Sequence, residues 1–110
     1  MSVEDIDKID FLIREKKTGD VVLAISDHLD WSESEGEHLI VLQKKLNTYL
    51  EFIESGQIYA QLPQAAGRKI AIEVKGKFPL SDEARKFYRV AGKAIEDLGF
   101  SLRFELRESK

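Results

Sequence analysis

The sequence predicts an α+β fold of two layers: a four-stranded mixed sheet with two helices on one face, in the order ββαβαβ. Three observations lead there. Short apolar segments alternate with charged residues at a period of two, as in half-buried strands. Two longer segments repeat apolar residues every three to four positions, as in amphipathic helices. Strands with one apolar and one charged face call for a sheet covered on one side only, which puts both helices on that side.

The first strand is expected from Ile9 to Glu15, where Ile9, Phe11 and Ile13 alternate with Asp10, Leu12 and Arg14. Lys16 to Asp20 reads as a hairpin turn, with Gly19 where positive φ is needed. Val21 to Ile25 is apolar on both faces and so belongs inside the sheet. A helix follows, with Leu39, Leu42, Leu46, Tyr49 or Leu50, and Ile53 on one stripe and Lys44, Lys45, Thr48 and Glu51 elsewhere. Ser34 with Glu37, or Ser32 with Glu35, matches a capping box at its start, and Gly56 ends it.

A short loop with Pro63 and Gly67 leads to a strand from Arg68 to Lys77, in which Ile70, Ile72 and Val74 share a face. Ser81 caps the second helix, whose stripe is Ala84, Phe87 or Tyr88, Ala91, Ala94 or Ile95, and Leu98. Gly99 stops it. The last strand, Phe100 to Leu106, sets Leu102, Phe104 and Leu106 against Arg103, Glu105 and Arg107. One domain over residues 1–110 is expected, with 1–7 and 108–110 flexible. Strand order 1-2-3-4 is the favoured arrangement, the first strand antiparallel and the others parallel.

Composition narrows the function. There is no cysteine, so disulfides, thiolate metal sites and cysteine nucleophiles are excluded. No apolar stretch is long enough to span a membrane, and the N-terminal MSVEDIDKID is acidic, which makes the cytoplasm the expected compartment. Residues 1–67 hold 13 acids against 6 bases and residues 68–110 hold 7 against 11, which gives the net charge of −3 an uneven distribution. No glycine-rich phosphate loop and no G-x-S-x-G elbow occurs. The charged face expected of the sheet offers no aromatic ring for base stacking, so nucleic acid is not an expected partner. Arg85, Lys86, Arg89 and Lys93 on the second helix read as a solvated face.

The segment from Ser26 to Glu37 holds the residue types from which a site is built. Asp27, Asp30, Glu33, Glu35 and Glu37 put five carboxylates within eleven residues, without lysine or arginine, beside His28, Trp31 and His38. His28, His38 and Asp27 or Asp30 offer nitrogen and oxygen ligands to a divalent metal, and His28 with Asp30 offers a general base and its orienting carboxylate. The spacing matches no established metal motif. A structural alternative stands beside each: Asp27 or Asp30 organises a turn through its side chain, and Trp31 staples the helix start. A third reading takes the carboxylates as a negative surface for a basic protein, with Trp31 as apolar anchor.

The run Ile25-Ser26-Asp27-His28-Leu29-Asp30-Trp31, then Glu37-His38-Leu39 and Asn47 through Gly56, resembles a family of small bacterial proteins classed as a domain of unknown function. The resemblance extends over nearly the whole chain. It implies bacterial origin and importance of the Ser26–Trp31 stretch, and supplies no activity, cofactor or catalytic residue. The leading expectation is a non-enzymatic protein-binding module, in one form immunity- or antitoxin-like, using its acidic segment and no cofactor. The rival is a small metal-binding protein or hydrolase centred on His28, Asp30 and His38. A homodimer through an edge strand is a third expectation.

Overall fold

The computed structural model describes residues 11–14, 19–32 and 34–107 of the chain. The strands are β1 (Phe11–Arg14), β2 (Val21–Asp27), β3 (Ile70–Gly76) and β4 (Ser101–Leu106). The helices are α1 (Glu35–Glu54), α2 (Gln57–Gln61) and α3 (Asp82–Asp97), with a single 3-10 turn at Pro63–Ala65. Strands β2, β3 and β4 are parallel neighbours in that order, and β1 runs antiparallel to β2.

The expected fold needs correction. In place of two helices on the sheet, the described residues form three, and the sheet holds three parallel strands with β1 antiparallel at its edge. The unexpected helix is α2, in the segment read as a plain loop. Ile58, Leu62 and Ala65 recur there at spacings of four and three, Ile58 and Ala65 are buried, and Leu62 packs on the core. A helix of five residues is too short for its periodicity to stand out. Gly56, at φ +84°, makes the sharp change of direction between α1 and α2 that few L-residues tolerate.

Register sets which residues meet the helices. Val21, Leu23 and Ile25 of β2 pair with Ile70, Ile72 and Val74 of β3. Those six, fully or almost fully buried, form the core with Leu42, Leu46, Tyr49, Phe52 and Ile53 of α1 and Ala84 of α3. Tyr49 fastens α1 to the sheet, its hydroxyl donating to the Ala24 carbonyl at 2.7 Å. Lys45, expected on the outer side of α1, is fully buried, with its ammonium 5.6 Å from the centre of the Tyr49 ring.

In β1, Phe11 is paired with Ala24, Leu12 with Leu23 and Ile13 with Val22. Ile9, Asp10, Glu15 and the turn through Thr18 lie outside the described residues. The far face of the sheet is also not open to water throughout, because Val22, Ala24 and Ala71 are at most 4% exposed. Towards its β4 side that face carries charges of both signs, with Lys75 2.8 Å from Glu73 and 3.7 Å from Glu105. Pairs of that kind, exposed in part and screened by water, add little to stability.

Candidate functional site

The site lies where β2 ends and α1 begins. Strand β2 runs two residues further than its apolar pattern suggested, and its alternation continues: Val21, Leu23, Ile25 and Asp27 share one face. Asp27 is therefore delivered to the core side of the sheet and is 3% exposed. On α1 the buried stripe likewise begins earlier than Leu39. His38 lies four residues before Leu42 and is 2% exposed. The two polar residues extend two apolar patterns and meet. His38 Nε2 donates to the Asp27 carboxylate, 2.8 Å from Oδ1 and 2.6 Å from Oδ2.

Trp31 closes this contact from above. Its ring stacks on the His38 imidazole with centroids 3.5 Å apart and planes 15° apart, and it is 6% exposed. Burial of a carboxylate and an imidazole is costly unless each meets a partner, so the pair and its aromatic cover act as a unit. Asp27 Oδ1 also accepts the Leu29 amide at 3.2 Å, and Asp30 Oδ1 accepts the Ser32 amide at 2.9 Å. These are the turns that short acidic side chains make with their own backbone. The Ser32 N–H holds the Asp30 carboxyl below the ordinary carboxylate range, while the group itself stays exposed.

The expected capping box does not form: Ser34 stands at the N-cap position without a side-chain cap bond. Its carbonyl accepts the His38 amide at 2.8 Å, and the side chain of that histidine reaches back to the sheet. The start of α1 is thus fastened by tertiary contact with Asp27 rather than by its own cap. At α3 the expectation holds, with Ser81 Oγ accepting the Ala84 amide at 3.1 Å.

Of the eight sequence-predicted site residues, three converge: Asp27, Trp31 and His38. His28, Asp30 and Glu37 are exposed, Glu35 is half-buried, and Glu33 lies outside the described residues. His38 bonds to Asp27 rather than Asp30. Among the described residues no set of three histidine, aspartate or glutamate side chains is arranged to hold a metal ion.

Residues from the other strand ends complete the surroundings. Ser26, Asp27, His28, Lys75, Lys77 and Arg107 line a concavity of about 340 Å³ at the carboxyl ends of the parallel strands. Gly76 is paired with Asp27 in the sheet and makes room for Phe104, whose ring would come 2.5 Å from a β-carbon placed there. Tyr88 stands edge-on to Phe104, with ring centres 5.5 Å apart. Sequence reasoning missed this group, because it joins residues from β3, β4 and α3 that no local pattern connects.

The Tyr88 hydroxyl is buried, with no hydrogen-bond partner among the described residues. Burial pushes it well above the usual tyrosine range, and the neighbouring Asp27 carboxylate pushes in the same direction. A raised folded-state value makes the neutral phenol a source of stability that is fully present below about pH 10 and is lost as pH rises further. Tyr88→Phe removes an unsatisfied polar group, so we expect it to leave stability at pH 7 unchanged or raise it by about 1 kcal/mol. It should also shift alkaline unfolding to higher pH. Urea titrations at pH 7 and above pH 10 check both; a loss of more than about 1 kcal/mol at pH 7 would mean the hydroxyl has a partner.

Three parallel strands carrying helices, with a buried His–Asp pair at the strand ends, define a small α+β protein whose polar pair is built into its core. The chain belongs to a family of unknown function, DUF6572, whose model matches residues 1–108. No curated protein and no solved structure matches it. Among the described residues no helix is long and apolar enough to cross a membrane.

Proposed function

We propose that the protein is a non-enzymatic protein-binding module that presents the carboxylates at the start of α1 to a basic partner. An immunity- or antitoxin-like protein is one concrete form, and the bacterial cytoplasm is the setting in which we place it. The supporting observation is a division of labour within one segment. Asp27, Trp31 and His38 are used internally, while Asp30 and Glu37 remain exposed and Glu35 half-buried on the surface that the buried pair holds in place.

A surface held by a buried lock loses little freedom on binding, and clustered charge accelerates encounter with an oppositely charged partner. Trp31, 6% exposed and stacked on His38, is not counted as a binding anchor. The His38–Asp27 pair is too enclosed to favour a catalytic reading, since a general base has to reach the proton it removes.

The test is co-purification with the product of a neighbouring gene, followed by association kinetics at two salt concentrations. The variant Asp30→Lys, Glu35→Lys, Glu37→Lys should slow association at least ~10-fold at low salt, and the effect should shrink at high salt. Unchanged kinetics in a folded variant would contradict the reading. Because acids at a helix N-terminus each stabilise it by about 0.3–1 kcal/mol, the folding of the variant is checked by its thermal unfolding.

A further inference from the structure

We propose that the chain dimerises through β4, which pairs antiparallel with β4 of a second copy about a two-fold axis perpendicular to the sheet. Among the described residues β4 is an edge of the sheet. From Ser101 to Leu106 it holds no proline, no lysine and no charge on the core side, the devices that usually keep an edge from pairing. The Arg107 amide donates to the Gly76 carbonyl. By alternation, Leu102, Phe104 and Leu106 therefore turn their N–H and C=O groups away from β3.

Such an axis maps each face of the sheet onto itself, so it passes where a residue meets its own symmetry mate. Charge selects that residue. Centred on Arg103, the strands would set Arg103 against Arg103. Centred on Glu105, they would set Glu105 against Glu105 and Arg103 against Arg107. Like charges directly opposite are destabilising. Centred on Phe104, Arg103 faces Glu105 of the second copy twice, and Leu102 faces Leu106, which is otherwise 39% exposed. Arg103 and Glu105 lie beside Glu73 and Lys75 of β3. The row Lys75, Glu105, then Arg103 and Glu73 of the second copy thus alternates in sign across the joint.

The same axis serves α3. As the connection between parallel β3 and β4, α3 runs back against them, with Tyr88 packed on Phe104. Phe87, Val90 and Ala94 of α3 face α1. Arg85, Arg89, Gly92 and Glu96 recur at helical spacing on the opposite side and so overhang the β4 edge. Ser101 to Phe104 covers about 10 Å of strand, which matches about seven residues of helix counted back from Leu98 and puts the axis near Ala91. Two α3 helices meeting there antiparallel set Arg85 against Glu96 of the second copy, twice, and Arg89 beside Gly92, which faces open space. A helix seated over β3 and β4 lies about half a strand spacing inside the edge, so the two helix axes fall about 10 Å apart, an ordinary packing distance.

Sedimentation equilibrium of the full chain over a concentration series tests this. We expect a monomer–dimer equilibrium. Leu106→Pro removes an outward N–H and leaves the bonds to β3 in place. It should weaken association at least ~10-fold, one hydrogen bond being lost from each copy, while the unfolding midpoint of the monomer stays unchanged. Arg85→Glu should weaken association as well, and adding Glu96→Arg should restore it. A wild-type chain that stays monomeric into the millimolar range would overturn the proposal. So would a dimer indifferent to Leu106→Pro, or one that Glu96→Arg weakens further in the Arg85→Glu background.

Discussion

Asp27→Ala should destabilise the protein by about 3–5 kcal/mol, the range observed when one member of a buried polar pair is removed and the other is left behind. His38 would then keep its place at the start of α1 with neither ring nitrogen satisfied, since its Nδ1 already has no partner among the described residues. A domain of this size is stable by only about 5–15 kcal/mol in all, so the variant should be largely unfolded at temperatures the parent tolerates. Asp27→Asn should cost less, because its amide oxygen still accepts from Nε2. Urea unfolding followed by circular dichroism gives both numbers, and a loss below about 0.5 kcal/mol for Asp27→Ala would show that the contact carries no weight.

The second large effect is expected at Trp31. Trp31→Ala should cost about 3–5 kcal/mol, the usual consequence of deleting a buried aromatic side chain. The loss includes both its apolar burial and the stack on His38, and it opens the buried pair to solvent. A conservative change separates these parts: Trp31→Phe keeps a ring to stack and should recover more than half of the loss. Trp31 is the single tryptophan of the chain, so in the parent its fluorescence reports on this site alone. The emission should shift to longer wavelength in step with global unfolding; an earlier shift would mean that the cover opens separately from the fold.

Both effects arise where sequence reasoning stopped one step short. The periods of strand and helix were legible, and so were the caps and turns made by Ser81, Gly56 and Gly99. The polar ends of those same periods were harder to read. Asp27 continues the alternation of Val21, Leu23 and Ile25, and His38 stands one turn ahead of Leu42 on the stripe of α1. A polar residue at an apolar position is ordinarily taken as the point where a pattern ends. Here two such ends meet and satisfy each other, which only the tertiary arrangement reveals.

Lys45 escaped for the same reason, since a lysine on a helix is taken to face water and this one is fully buried. The aromatic group of Tyr88 and Phe104 beside Asp27 had no local signal, its members being contributed by α3 and β4. Helix α2 fell below the length at which periodicity speaks. The acidic segment reads in the sequence as one group, but its residues divide between a structural lock and an exposed surface. That division depends on which face each residue occupies, and between Asp27 and the start of α1 at Glu35 no periodicity gives a face.

The claim on which the rest depends is that Asp27 and His38 act together to hold the start of α1 against the sheet. A double-mutant cycle measures this directly, using Asp27→Ala, His38→Ala and the two combined, each followed by urea unfolding. The predicted result is a coupling of about 2–3 kcal/mol, at the upper end for residues in direct contact, with the double variant losing that much less than the sum of the two single ones. Single-variant losses that simply add, leaving no coupling, would contradict it.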